Sequence, residues 1–254
     1  MRHNNLYTFI FITIVTIICA GLLSSAAYFL KEKQQTNVEV DMKKNILKAV
    51  KLLENEKMSQ QEILDSYNNN IEGYVVNDLC EIIELPKGIS MEDINPEKEE
   101  TKPENERMYP VYIKKEGSEI SAFCIPIIGK GLWSTMYGYL ALEPDLNKIL
   151  GITFYKQGET PGLGSEVESK SFQNKFIGKE IWDKDDNLVS INILKLEPAT
   201  DSPNIQHEIA GISGATKTAE GVMNLLLKDL LKYEKYFREI RMKNVQKEVV
   251  TNVE

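Results

Sequence analysis

The four residues from Ser213 to Thr216 (Ser-Gly-Ala-Thr) have the types and the spacing to hold a phosphate group. They directly precede Lys217 to Leu227, whose pattern predicts a helix. Small side chains let successive backbone N–H groups converge on one point, and the start of a helix adds the positive end of its dipole. Two interpretations follow: a simple helix cap, or a covalent phosphoester to the hydroxyl of Thr216.

Two further glycine-bearing segments favour the phosphate interpretation over a cap alone. Residues 158–164 (Gly-Glu-Thr-Pro-Gly-Leu-Gly) form a tight loop after a predicted strand at 150–155. Residues 129–134 (Gly-Lys-Gly-Leu-Trp-Ser) form a turn between two predicted strands and expose a tryptophan.

These three segments, in this order after an apolar N-terminal helix, resemble the C subunit of the sodium-translocating NADH:quinone oxidoreductase, a membrane flavoprotein. The resemblance covers most of the chain from Leu6 to Leu231. It implies that Thr216 carries FMN through a phosphoester, which a dedicated flavin transferase attaches. The chain departs from the family at Ala210, where an Asp usually stands three residues before the Ser, and this departure bears on recognition by the transferase or on the local turn.

The resemblance also implies the residues around the flavin. They are Ser213, Gly214, Ala215, Thr216 and Thr218 of the attachment segment, Glu159, Thr160, Gly162, Leu163 and Gly164 of the second loop, and Trp133, Ser134 (a hydrogen-bond donor) and Lys195. We expect Thr160 or backbone N–H groups at the ring edge and Leu163 against the ring face. Glu159 either reaches the flavin or braces its loop, and Trp133 either covers the flavin or packs in the core. Lys195 lies either near the phosphate or in solvent at a strand end.

The resemblance implies electron relay through the flavin, and no residue set in the sequence suggests a local acid–base pair. NADH oxidation, ubiquinone reduction and sodium transport would belong to the assembled membrane complex, whose other subunits are the implied partners. One alternative is the equivalent FMN subunit of an Rnf-type ferredoxin:NAD oxidoreductase, which shares two of the motifs, although residues 131–138 favour the sodium pump. Another is a membrane-anchored, non-redox scaffold or binding protein.

Composition limits the other classes of function. A net charge of -8 argues against a nucleic-acid binder. The cysteines, Cys19, Cys80 and Cys124, form no Cys-x-x-Cys motif, which argues against an iron–sulfur or zinc site. With only His3 and His207, a histidine-based metal site or catalytic triad is close to excluded. Cys80 and Cys124 either pair or, as the strand position of Cys124 favours, stay apart.

The N-terminus predicts a membrane anchor. No Asp, Glu, Lys or Arg lies between Arg2 and Lys31, and Leu6 to Leu30 is long enough to cross the ~30 Å hydrocarbon core of a bilayer. A cleaved signal peptide with its site at 25–27 (Ser-Ala-Ala) is the alternative, but its apolar region would be unusually long. The flanking charges do not decide orientation. The resemblance implies a single-pass protein of the bacterial inner membrane with its soluble domain on the periplasmic side.

The fold class predicted is α+β: a single transmembrane helix, then one soluble FMN-binding domain with an antiparallel-rich sheet and packed helices. The proposed boundaries are 1–33 (anchor with a short cytoplasmic N-terminus), 34–108 (helical and acidic lead-in), 109–241 (FMN-binding domain) and 242–254 (polar tail). We predict helices at 38–54, 59–69, 172–177 and 218–241, and strands at 72–76, 109–114, 120–128, 136–142, 150–155 and 188–194.

Two finer expectations concern packing. The last helix places an apolar stripe on one face, which predicts a core contact: Val222, Leu226, Leu230, Tyr233 and Phe237. Residues 92–106 hold seven acidic side chains against two lysines, with Pro96 and Pro103, which indicates a solvated, mobile segment without a binding role.

Overall fold

The computed structural model of the chain describes residues 5–53, 58–117 and 119–251. The chain divides into two units, residues 1–41 and residues 42–254. The first helix, α1 (Asn5–Ala49), contributes to both.

The first unit contains the apolar part of α1. Residues 5–31 span 27 positions, about 40 Å of helix, and their apolar side chains are exposed. The hydroxyls of Thr13, Thr16 and Ser25 each donate to the carbonyl four residues earlier, so their hydrogen bonds stay inside the helix. Such a segment fits a single membrane crossing. The separate helices expected at 6–30 and 38–54 form one helix, which ends at Ala49; the expected end at Glu54 lies outside the described residues.

The second unit is built on an antiparallel sheet of six strands in the order β2-β1-β3-β4-β5-β6. The strands are β1 (Ile71–Val76), β2 (Ile82–Ile83), β3 (Tyr109–Glu116), β4 (Glu119–Lys130), β5 (Thr135–Leu142) and β6 (Ile149–Lys156). The helices of this unit are α2 (Gln60–Asn70), α3 (Pro96–Glu99), α4 (Lys170–Gln173) and α5 (Thr216–Thr251). This arrangement confirms the predicted α+β fold class.

Helices cover both faces of the sheet. The predicted stripe of α5 is buried against one face, with the alternate side chains Phe123, Ile125 and Ile127 of β4. The last turns of α1 lie on the other face, where a Cβ added to Gly151 would come within 2.3 Å of the Ala49 carbonyl oxygen. The helix α2 follows its N-cap Ser59, whose side chain accepts from the backbone N–H of Glu62, as a capping box requires.

Two prolines open a gap in the sheet that α5 fills. The β3–β4 ladder reaches Tyr112 opposite Cys124, and two positions further along the same register would set Pro110 opposite Pro126, two residues without an N–H. The free Ile128 N–H instead donates to a carboxylate oxygen of Asp229 (2.5 Å), and the Pro110 carbonyl accepts from the Tyr233 hydroxyl (2.9 Å). The sheet and α5 are therefore joined by buried hydrogen bonds as well as by apolar packing.

The sequence predicted residues 92–106 to be a solvated segment, and this prediction is wrong because part of the segment packs against the domain. Glu99 is buried and accepts from the Met108 N–H (3.0 Å), and Glu100 forms ion pairs with Lys228 and Lys232 of α5, each at 2.6 Å. The ion pairs explain why the prediction failed, because the lysine partners lie more than 120 residues away in the sequence and no local pattern indicates them.

The predicted strand at 188–194 is also wrong in length. Only β7 (Asn192–Leu194) forms, and it pairs in parallel with β8 (Glu208–Ala210); Leu188 makes an isolated bridge with Trp182. The tight backbone at Ser190, with a φ of 59°, interrupts the strand.

The cysteines of this unit are free thiols. Cys80 lies in the core beneath α5, whereas Cys124 points to the opposite face of the sheet. Of the two arrangements considered, the structure shows the unpaired one, and burial raises the pKa of both thiols.

Candidate cofactor site

The predicted attachment segment forms a turn followed by the first turn of α5. The Ala215 N–H donates to the Ile212 carbonyl (3.1 Å), and Gly214 sits at φ +75°, a conformation that favours glycine. The first N–H bonded within the helix is that of Ala219, to the Ala215 carbonyl (3.0 Å). The N–H groups of residues 216–218 precede that bond and are thus available to an anion.

Three hydroxyls lie in this segment, and the structure separates them. Those of Ser213 and Thr216 are on exposed residues. Thr218 is only 2 % exposed, and its hydroxyl donates to Glu159 Oε2 at 2.7 Å. A ligand arriving from solvent can therefore be esterified to Ser213 or Thr216 without disturbing the interior.

Glu159 is the most heavily hydrogen-bonded carboxylate of the site. It is 5 % exposed, and its Oε1 accepts from the N–H groups of Trp133 (2.9 Å) and Ser134 (3.1 Å). Its Oε2 accepts from the Leu132 N–H (3.2 Å) and from Thr218. Burial acts to raise the pKa of Glu159, but these four hydrogen bonds outweigh it and hold that pKa below its usual value. The bracing interpretation of Glu159 thus has direct geometric support.

Glycines make room for the Glu159 clamp, by which we mean the Glu159 carboxylate and its four donors at residues 132, 133, 134 and 218. A Cβ on Gly131 would lie 2.5 Å from Glu159 Oε1, and one on Gly164 would lie 2.5 Å from Thr218 Oγ1. In α5, a Cβ on Gly221 would lie 2.5 Å from the Lys130 carbonyl oxygen. The three glycines let the turn after β4, the loop after β6 and the start of α5 approach one another closely.

The loop at 158–164 reaches the attachment turn. The Thr160 carbonyl accepts from the N–H of Leu163 (3.1 Å), and Gly162 sits at φ +73°. Thr160 is exposed, and Leu163 is 41 % exposed. A Cβ on Gly214 would lie 3.0 Å from Leu163 Cδ2, which places this leucine directly against the attachment turn.

Trp133 is a surface residue, 71 % exposed, in the turn between β4 and β5. Its neighbour Leu132 is exposed as well, so the turn presents apolar surface to solvent. The Ser134 hydroxyl accepts from the Gly158 N–H (2.5 Å), which ties the same turn to the loop after β6. Of the two interpretations of Trp133, the structure favours the one in which its indole is free to cover a ligand.

Lys195 lies one residue beyond β7, and Gly211 lies one residue beyond β8, so the two parallel strands end at the same edge. The Gly211 N–H donates to the Leu194 carbonyl (2.7 Å). Lys195 is exposed, and among the described residues no hydrogen bond or ion pair joins it to the other predicted site residues. Ala210 is buried, and its carbonyl accepts from Lys175 Nζ (3.2 Å), a contact that the sequence did not indicate.

Known proteins share both the sequence and the fold. Residues 131–231 match the family model described as FMN-binding domain. The C subunit of the Na(+)-translocating NADH-quinone reductase of Haemophilus ducreyi is 34 % identical over 236 residues, which is 84 % of each chain. The chain belongs to the family of this C subunit.

Two further relatives agree. The Pseudomonas aeruginosa C subunit is 32 % identical over 240 residues, covering 89 % of this chain and 91 % of that protein. The crystal structure of the C subunit from Parabacteroides distasonis superposes with a TM-score of 0.69 at 30 % identity, over 82 % of this chain and 96 % of that chain. The family resemblance and the assignment as a subunit of an oxidoreductase complex with an FMN-binding domain are thereby confirmed.

Family membership leaves the individual site residues as predictions, and the structure sorts them by position. The attachment turn, the loop at 158–164 and the turn at 131–134 are brought together, whereas Lys195 stands apart at the neighbouring strand edge. Sequence reasoning missed Gly131 and Gly221 as site residues. A glycine inside a strongly helical pattern is the signal that could have pointed to Gly221, because it lowers helix stability unless close packing requires it.

Proposed function

We propose that this chain is the FMN-carrying subunit of a Na(+)-translocating NADH-quinone reductase and that Thr216 holds the FMN through a phosphoester. The observation that carries the proposal is the contrast between the two threonines of the first turn of α5. Thr218 is buried with its hydroxyl donated to Glu159, whereas Thr216 is exposed. Of these two, only Thr216 presents a hydroxyl that a flavin transferase could esterify in the folded domain.

The surroundings of Thr216 suit a phosphate diester. The N–H groups at the start of α5 and the helix dipole favour a negative charge there. We assign to Lys195, which lies at the edge where β8 leads into the attachment segment, the role of a positive charge that attracts this phosphate. When bound, FMN supplies one-electron transfer, and the chain supplies permanence, orientation and limited access of water.

The exposed apolar side chains suit the flavin ring. We assign Leu163, which touches the attachment turn, to one face of the ring, and Trp133 to its cover. Thr160 and the N–H groups of its loop are available to the polar ring edge. Glu159 does not face the flavin in this proposal, because both of its oxygens are already occupied as acceptors.

The proposal extends to partners and location. The relatives are named as subunits of a sodium-translocating complex, so we propose that the other membrane subunits of such a complex are the electron donor and acceptor, and that a flavin transferase matures this chain. We place the second unit on the periplasmic side of the inner membrane, with α1 as its single anchor.

Mass spectrometry of the peptide that contains Thr216 tests the proposal. In protein from the native host we expect the mass of FMN, less one water, on this residue, and a fluorescent band on a denaturing gel. Thr216→Val should lose both while keeping the fold, since valine has the same shape, and Thr216→Ser should retain at least part of the flavin. Thr200→Val is the matched control, because Thr200 is an exposed threonine outside the site, and this variant should stay loaded. An unmodified Thr216 in the native protein, or FMN that persists covalently in Thr216→Val, would refute the attachment and favour a scaffold role.

A further inference from the structure

The carboxylate of Glu159 joins three segments of the site: the turn at 132–134, its own loop and the first turn of α5. It accepts from three consecutive N–H groups of the turn at 132–134, and it accepts from Thr218 of α5. Glu159 itself belongs to the loop at 158–164. A single buried group therefore receives four donors from the two segments that flank its own.

Each oxygen of this carboxylate accepts two hydrogen bonds, and this requirement selects glutamate over other residue types. Oε1 accepts from Trp133 and Ser134, and Oε2 accepts from Leu132 and Thr218. A glutamine of the same shape presents an NH₂ group on one side, which cannot accept from an N–H. Aspartate keeps the charge but is shorter by one methylene and cannot reach both segments. The site requires four acceptor positions at this length, and glutamate supplies them.

From this geometry we propose that Glu159 is a positioning residue for the flavin: it holds Trp133 over the ring attached at Thr216 without touching the ring. This inference rests on the proposed function, since it takes Thr216 as the attachment residue. The turn that Glu159 organises carries the exposed indole of Trp133. The Thr218 that it binds lies two residues after Thr216, about 3 Å along the helix axis. Loss of the clamp frees the indole relative to the attachment point.

The test uses the full-length chain, purified in detergent with its FMN, and the variants Glu159→Gln and Glu166→Gln. Glu166 lies in the same region with an exposed side chain, so its replacement changes the net charge equally without touching the clamp. We expect both variants to keep the FMN mass on the Thr216 peptide. In Glu159→Gln, flavin fluorescence per bound FMN should rise, because an indole in contact with the ring quenches it, and the flavin circular dichroism band should weaken. Glu166→Gln should match the wild type in both signals.

Two milder variants at Thr218 distinguish loss of the clamp from general unfolding. Thr218→Val removes one donor from the clamp and keeps the side-chain shape, whereas Thr218→Ser keeps the hydroxyl. We expect the fluorescence of Thr218→Val to shift in the same direction as that of Glu159→Gln, and that of Thr218→Ser to return towards the wild type. Amide hydrogen exchange at residues 132–134 should be faster in Glu159→Gln, on the order of tenfold, because hydrogen bonds to a charged acceptor are lost.

The attachment and the positioning role can be refuted separately. An unmodified Thr216 peptide in the wild type would refute the attachment. A normally loaded Glu159→Gln whose fluorescence and circular dichroism equal those of the wild type, or Thr218→Val and Thr218→Ser proteins with identical flavin spectra, would overturn the positioning role and leave the attachment intact.

Discussion

Asp229 gives the sharpest quantitative prediction about the helix that carries the attachment residue. Its side chain is 1 % exposed, and it accepts from the Ile128 N–H and from Lys232 Nζ, both at 2.5 Å. Burial raises the pKa of Asp229 to about 6, although Lys232 and the Ile128 N–H act to lower it. We consider Asp229→Asn, which keeps the shape and one acceptor for Ile128 but cannot titrate.

The sign follows from proton linkage. The folded-state pKa of Asp229, about 6, lies above its ordinary value of 3.8, so between these values the folded protein holds a proton that the unfolded chain has released. Unfolding then releases protons, and the free energy of unfolding falls as the pH rises through this window. A difference of about 2 pKa units corresponds to about 3 kcal/mol. Burial also acts to lower the pKa of Lys232, but Asp229 and Glu100 outweigh it and raise that pKa, so Lys232 stays charged throughout.

The assay is urea unfolding of the full chain in detergent at pH 4 and at pH 7, followed through the fluorescence of buried Trp182. Relative to Asp229→Asn, the wild type should lose about 2.5 kcal/mol of stability between the two pH values, because pH 4 already lies just above the unfolded-state pKa. Asp186→Asn is the control, because Asp186 is a half-exposed partner of Arg238 and Arg241 and its contribution should be about 1 kcal/mol or less. A wild-type minus Asp229→Asn difference that does not change with pH would refute the reasoning.

Two further predictions concern packing. Gly221→Ala should destabilise the chain by about 1–3 kcal/mol in urea unfolding, despite the better helix propensity of alanine, because its Cβ would crowd the Lys130 carbonyl oxygen. The control Asn224→Ala, at an exposed position of the same helix, should be neutral or slightly stabilising. Equal stability of the two variants would contradict the close approach of Gly221 to Lys130. The thiol of Cys124 should resist alkylation at pH 8 until the chain is unfolded and should never appear in a disulfide with Cys80, because it is buried with a raised pKa; labelling of the folded protein, followed by peptide mass spectrometry, decides this.

Periodicity predicted most of the fold because the patterns are local. The apolar stripe of α5 and the strand at 120–128 each follow from a pattern within one segment, and both were confirmed. The acidic segment failed for the opposite reason, since the partners of Glu100 lie on α5 and composition cannot reveal a distant lysine. The long strand expected at 188–194 failed because the positive φ of Ser190 interrupts it, and an apolar pattern does not reveal a backbone conformation.

In the candidate site, too, the sequence predicted the local features but not the contacts between distant segments. Small residues and glycines at 129–134, 158–164 and 213–216 were visible in the sequence, together with their capacity to approach a ligand. The sequence left open whether Glu159 faces that ligand or the protein, because the answer depends on donors contributed by a turn about 25 residues earlier and by a helix about 60 residues later. Only the assembled structure supplies those donors.

The orientation of α5 about its own axis is fixed by contacts along its length. One face of the helix follows the end of β4 and the loop after β6 through four successive contacts: Thr218 with Glu159, Gly221 with the Lys130 carbonyl, Leu225 with Gly129, and Asp229 with the Ile128 N–H. Their spacings of three and four residues keep all four on one side of a helix. Together they prevent α5 from rotating about its axis.

That orientation decides which hydroxyl faces solvent. Two residues along an α-helix turn through about 200°, so a helix that directs Thr218 inward must direct Thr216 outward. A shift of the attachment motif by one residue would turn its threonine part of the way towards the interior, and a shift by two would exchange the two positions. The usefulness of Thr216 as an attachment point therefore depends on contacts as distant as Asp229, about 20 Å along the same helix, and not on the four-residue motif alone.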